Sequence, residues 1–199
     1  MPTVTRRRAL GQVLAWTGAF GATRALDAGA PQSLDQFLTS PPCKDEKLTP
    51  AVTPQPAFAT DAPARATLIE PGLTGARIVL TGHVIGIKCG RIKGARVDFW
   101  QADAAGAYAA SGPRLRGYQV TDAEGRYRLE TIRPGAPAGR ARHLSARVEP
   151  PGRPALTTVL FFPGDPGNSK DKTFQPNLAM RDVAGAPAGT YAFDFILDL

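Results

Sequence analysis

The sequence predicts an all-β fold, an antiparallel β-sandwich, and three observations carry that expectation. Apolar β-formers recur in short alternating or continuous runs: "RIVLTGHVIGI", "ARVDFWQ", "YQVTD", "RYRLETI", "HLSARVE", "ALTTVLFF" and "TYAFDFILDL". Turn stretches such as "KCGRIKG", "DAEG", "PGAPAG", "PPGRP" and "PGDPGN" separate them. The 21 glycines and 19 prolines make up about a fifth of the 199 residues, which favours turns and short strands. No helical period extends over ten residues, except in the N-terminal segment and around Ser33 to Leu38.

The first element is the stretch "MPTVTRRRALGQVLAWTGAFGATRALDAGA". Arg6, Arg7 and Arg8 precede a weakly apolar run from Ala9 to Ala22, and small residues follow. Residues 1–28 therefore read as a signal peptide of the twin-arginine type; the alternative is an amphipathic first helix of the domain. The apolar run is too short and too rich in Gly and Thr to span a bilayer stably. Removal up to Ala28 takes away Arg6, Arg7, Arg8, Arg24 and Asp27, a net +3 of the formal +7, and leaves +4. That charge is spread along the chain without a basic run flanked by aromatics, so nucleic acid is not an expected partner. The expected location is periplasmic or secreted.

Residues 29–65 read as an extended Pro-rich arm, because "SPPCKDEKLTPAVTPQP" cannot sustain regular structure. Residues 66–199 form the expected sandwich domain. The two cysteines, Cys43 and Cys89, are expected to form a disulfide in an oxidising compartment. It would close a loop of roughly 45 residues, worth about 3–4 kcal/mol in the chain-entropy description. Two independent buried thiols are the alternative.

In "HLSARV" the alternation of a strand puts His143, Ser145 and Arg147 on one face and Leu144, Ala146 and Val148 on the other. Leu144 and Val148 belong in the core. His143 and Ser145 then project together from the opposite face, as two ligands on one strand would. A His-x-His pair would supply two imidazoles to one metal; this chain has His-x-Ser.

Three stretches, "GARVDFWQADAAGAY", "RGYQVTDAEGRYRLETIRPG" and "LTTVLFFPGDP", together resemble the intradiol ring-cleavage dioxygenases. The cysteine before "LTP" in "CKDEKLTP", and the one before the strand in "CGRIKGARV", resemble the exported branch of that family. The resemblance spans about Cys43 to Pro166. It implies a sandwich holding Fe(III) by two tyrosinates and two histidines, acting on a catechol-like small molecule that dioxygen opens between its two hydroxylated carbons. Fe(III) is a hard ion and favours anionic oxygen donors. A phenol whose ordinary pKa is about 10 ionises at neutral pH only beside strong positive charge.

Carried over residue by residue, the resemblance implies a damaged metal site. The first tyrosine ligand matches Tyr108 and the first histidine matches His143. Pro137 stands at the second tyrosine position and Ser145 at the second histidine position. A glutamine expected near the substrate is Val159. Arg140, which in the family helps stabilise the activated substrate, is retained as the matching catalytic residue. The acidic "TEGP"-like segment after the first cysteine is "TPQP" at Thr53 to Pro56. By the family register His83 faces solvent away from the site. Tyr127 is expected in the core, Tyr118 near the pocket mouth, Tyr191 in the last strand, and Asp103 and Asp122 as turn-capping residues.

Two functions follow. One is an exported dioxygenase-like protein whose iron-dependent ring cleavage is impaired or lost. The other is a non-catalytic module for an aromatic ligand or a protein partner. "GARV…TDAEGRYRLETIRPG" also resembles transthyretin-like and carboxypeptidase-regulatory sandwiches, whereas "WQAD" and "FFPGDP" favour the dioxygenases.

Overall fold

The computed structural model describes residues 47–88 and 90–199. The N-terminal segment, Ser33 to Leu38, Cys43 and Cys89 lie outside the described residues. Nine strands are described: β1 (Arg77–Gly86), β2 (Arg96–Trp100), β3 (Arg116–Val120), β4 (Arg126–Ile132), β5 (His143–Glu149), β6 (Leu156–Phe161), β7 (Arg181–Asp182), β8 (Thr190–Ala192) and β9 (Phe195–Leu197). One sheet has the order β3-β2-β5-β6; the other has β4-β1-β8-β7, with β9 also pairing β1. The inward residues of both sheets meet in a common core in which Phe99 of β2 packs against Tyr127 of β4, ring centroids 5.6 Å apart. Leu80, Val84, Leu129, Val97, Leu144, Ala146, Val148 and Leu160 are buried with them. Among the described residues no helix is long and apolar enough to cross a membrane.

The sandwich is mostly antiparallel, as expected, but β8 and β9 both run parallel to β1. The run "TYAFDFILDL" does not form one strand. It breaks at Phe193 and Asp194, so that β8 pairs Val79 to Thr81 and β9 pairs Val84 to Gly86. Gly82 explains the break. A Cβ there would lie 1.7 Å from the Phe193 carbonyl oxygen, so only glycine lets the bulging chain approach β1. The Tyr127 hydroxyl donates to that same oxygen at 2.7 Å, which fixes the bulge from the core side. Tyr127 is 2% exposed, the core position expected of it, and burial raises its pKa well above the ordinary value.

The Pro-rich segment wraps the four-stranded sheet. Thr49 N–H donates to Ile196 in β9, and Val52 N–H donates to Thr157 on the edge strand β6. The chain then crosses the outer face of the sheet, where the Pro56 carbonyl accepts the Trp100 indole N–H at 2.9 Å. At the far edge Pro63 and Arg65 bond to Tyr118 of β3, and Ala66 and Leu68 bond to Glu130 of β4. Sheet edges left open are templates for association; this strap occupies three of them. It also makes the outer face of β2 and β5 an interior surface, so His143 and Ser145 are 1% and 0% exposed.

Candidate functional site

Pairing register sets the neighbours of Ser145. It stands opposite Trp100 of β2 on one side and Val159 of β6 on the other, and Trp100 stands opposite Arg116 of β3. Arg116, Trp100, Ser145 and Val159 thus form one row across the outer face. His143 lies two residues along β5, beside Phe161, ring centroids 6.0 Å apart.

Tyr108 comes to this face on the loop after β2. The Asp103 carboxylate accepts the Ala105 and Ala107 N–H groups at 2.9 and 3.0 Å, the turn-capping role expected of it; Asp122 does the same for Glu124 and Arg126. Gly135 N–H donates to the Asp103 carbonyl. A Cβ on Gly106, whose φ is +89°, would sit 2.4 Å from the Ala136 carbonyl oxygen. The Tyr108 loop therefore lies backbone to backbone against the loop that carries Pro137.

The Tyr108 hydroxyl and His143 Nε2 are 3.0 Å apart. His143 Nδ1 lies 2.8 Å from the Ala141 carbonyl oxygen. A carbonyl only accepts, so Nδ1 carries the proton, Nε2 accepts, and the Tyr108 hydroxyl donates to it. Burial lowers the His143 pKa, with the Arg140 charge acting in the same direction and the Ala141 carbonyl and Asp171 opposing. Burial raises the Tyr108 pKa despite the nearby Ser145 hydroxyl and the charges of Arg140 and Arg116. The pair is neutral. Ser145 Oγ is fully buried and makes no hydrogen bond of good geometry among the described residues, although it lies close enough to the Tyr108 phenol to lower its pKa.

Arg140 is committed elsewhere. Its Nε donates to Asp171 at 2.8 Å and its Nη2 to the Thr173 hydroxyl at 2.8 Å. Burial pushes the Asp171 carboxyl up, but hydrogen bonds from Arg140, Thr173 and Ala141 outweigh this and bring it down to about 2. The Arg140 charge still reaches Tyr108 and His143 through space.

Several sequence expectations need correction or placement. His83 does not face solvent: it is 5% exposed. Asp194, in the break between β8 and β9, accepts both the His83 backbone N–H and its Nδ1 at 2.9 Å, and Arg181 closes over that carboxylate. Tyr118 lies one row away from Ser145, opposite Asp98, with the Arg96 guanidinium 3.8 Å above its ring. Tyr191 is buried in β8, edge-on to Phe162. Sequence reasoning missed Asp171 and Thr173, which hold Arg140, and Pro56 and Phe58, which cover Trp100. Asp171 does carry a local turn signature, since its carboxylate accepts the Thr173 N–H and hydroxyl, but nothing in the sequence links it to Arg140.

The family profile described as Dioxygenase matches residues 52–198. The chain belongs to the intradiol ring-cleavage dioxygenase family. Among solved structures, this chain is similar to the dioxygenase domain of a dioxygenase carbohydrate-binding protein fusion from the cellulolytic bacterium Streptomyces sp. SirexAA-E. The identity is 41%, the TM-score 0.73, and the match covers 77% of this chain and 99% of that one. It is also similar to 3-chlorocatechol 1,2-dioxygenase from Rhodococcus opacus 1CP, at 25% identity and TM-score 0.66 over 75% of this chain and 72% of that one. Protocatechuate 3,4-dioxygenase beta chain from Burkholderia cepacia is 37% identical over 119 residues, 51% of each chain. The chain spans about half the length of the curated relatives it matches.

The family is iron-dependent, but the residues of this chain do not fit a ferric ion. Of the four matching positions only Tyr108 and His143 carry the family's donor types, and these two lie 3.0 Å apart in a hydrogen bond. Pro137 has no donor, and the Ser145 hydroxyl is neutral.

Proposed function

We propose that this protein is an exported intradiol-family sandwich in which iron-dependent ring cleavage is lost or severely impaired, and which keeps its site as a binding pocket for a catechol-like aromatic molecule. The observation that supports this reading is the neutral Tyr108–His143 hydrogen bond, with Pro137 and Ser145 at the two positions where the resemblance expects further ligands. Kinship to dioxygenases supports the substrate class, and the Ser145 hydroxyl, buried without a hydrogen bond of good geometry, supports a ligand whose hydroxyl completes it when Tyr108 moves aside. Residues 1–28 serve as a twin-arginine signal, residues 29–65 as the arm and residues 66–199 as the sandwich domain.

Cys43 and Cys89 form a disulfide that ties the strap to β1. Thr49 and Ile87 hydrogen-bond to adjacent residues of β9, Ile196 and Leu197, which brings the segments leading to both cysteines to one strand. Non-reducing peptide mapping of periplasmic protein is expected to recover the two cysteines linked; two free thiols would remove this element.

Metal content and a visible spectrum, before and after Fe(III) addition, test the whole reading. Colourless protein that takes up no stoichiometric iron and consumes no dioxygen with catechol, yet binds catechol by calorimetry, is the expected outcome. Stoichiometric iron with a tyrosinate charge-transfer band and catechol turnover would restore the ring-cleavage activity of the relatives.

A further inference from the structure

Beside the loop that carries Pro137 a second cleft opens, with a volume of about 350 Å³. Small residues, among them Ala76, Ala104, Pro134 and Gly135, form its walls, and two arginines, Arg133 and Arg142, supply its charge. The cleft lies where β1 and β5 enter the sandwich and β4 leaves it, so rigid strand ends fix both arginines.

Their partners differ. Arg142 Nη1 donates to Asp165 at 2.8 Å, and that carboxylate is 2% exposed. Arg133 is exposed and has no carboxylate partner among the described residues; its guanidinium carbon lies 5.3 Å from the centre of the Phe162 ring. Burial pushes the Asp165 carboxyl up, but Arg142, the Gly167 N–H and the charge of Arg133 together hold it below the ordinary carboxylate value. Arg142 is thus paired with Asp165, which leaves the Arg133 charge uncompensated in the cleft.

Two of the cleft's backbone N–H groups are already taken. Arg133 N–H donates to the Ala76 carbonyl and Gly135 N–H to the Asp103 carbonyl, and the charge of the cleft lies on its side chains. One net positive charge matches a monoanion better than a dianion. Guanidinium groups bind planar carboxylates through paired hydrogen bonds. The cleft is several times larger than a carboxylate group and sits at the small end of organic-ligand pockets. Packing over Phe162 restricts Arg133 before any ligand arrives, which lowers the ordering cost of binding.

We propose that this cleft is a binding site for a small organic monocarboxylate, gripped between Arg133 and Arg142. The site is separate from the Tyr108–His143 pair and does not depend on the function proposed for it. The test is a titration of the full chain with benzoate, followed by amide NMR, with benzamide as the uncharged analogue and inorganic phosphate as competitor. Saturable shifts at Ala76, Ala104 and Gly135, absent with benzamide, are expected. Arg133→Ala should weaken benzoate binding at least tenfold while the amide spectrum keeps the dispersion of the folded parent, which separates loss of the site from loss of the fold. No saturable shift, equal shifts with benzamide, or undiminished binding by the Arg133→Ala protein would overturn the proposal. So would shifts confined to Tyr108, His143 and Ser145. Phosphate binding more tightly than benzoate would overturn the carboxylate assignment.

Discussion

The two sheets each bury one of the protein's two histidines on the face turned away from the core, and they treat them differently. His83, on β1, is held by the Asp194 carboxylate through both its backbone N–H and its ring, with Arg181 closing over the same carboxylate. His143, on β5, has a backbone carbonyl on one side and a neutral phenol on the other. One neighbourhood is completed with charge; the other is neutral and leaves the buried Ser145 hydroxyl without a hydrogen bond of good geometry. The contrast extends along β5 itself. One row beyond Ser145, Arg96 and Arg147 flank the buried Asp98. On neighbouring β6 the buried Thr158 hydroxyl donates to Pro50 in the strap at 2.7 Å. An unpaired buried hydroxyl costs about 1–3 kcal/mol, so completed neighbourhoods are built for stability. The surroundings of Tyr108 keep one buried hydroxyl without a hydrogen bond of good geometry.

Substitutions on the two sides should separate these roles. The largest effect is expected at the completed histidine: Asp194→Ala leaves the His83 backbone N–H and ring without an acceptor and should lower unfolding free energy by about 3 kcal/mol. A urea midpoint close to that of the parent would mean that His83 does not depend on Asp194.

Asp171→Asn comes next. The Asp171 carboxyl lies at about 2 when folded, below its value of about 3.9 in the unfolded chain. Its contribution is therefore complete above about pH 4 and is lost as pH falls towards 2. The shift corresponds to about 2 kcal/mol. Parent and variant should differ by that amount at neutral pH and converge as the acid limit is approached; a gap that persists at pH 2 would show that the loss comes from packing instead.

At the Tyr108 pair the effects are smaller. Tyr108→Phe removes the donor to His143 Nε2 and should cost about 1 kcal/mol. Ser145→Ala removes only a hydroxyl that makes no hydrogen bond of good geometry, so stability should be unchanged or slightly higher, while catechol affinity falls. A stability loss above about 1 kcal/mol in the Ser145→Ala protein would mean that this hydroxyl is paired, and the contrast between the two faces would then fail.

Much of the fold was legible in the chain. Period-2 alternation placed β1 to β6, because strands buried on one face must write that face into every second residue. Gly82 shows the limit: a glycine inside an apolar run does not reveal that the last strand bulges against it and splits. The candidate site was legible only as a list. Tyr108, Pro137, His143 and Ser145 could be matched to positions in a family, but the matching could not tell whether the remaining donors face a common ion or each other. Asp171 and the strap residues Pro56 and Phe58 were invisible, since their roles depend on contacts 31 to 44 residues away along the chain.

The sequence by itself determined the class of fold and the family, because these depend on residue type and local spacing. Only the tertiary structure decided that His83 is buried, that Tyr108 and His143 satisfy one another, that Arg140 is held by Asp171, and that the Ser145 hydroxyl makes no hydrogen bond of good geometry. Each of these is a question of which group lies within about 3 Å of which. Distances of that kind are set by how two sheets and a strap pack together, a sum over the whole chain that no single stretch encodes.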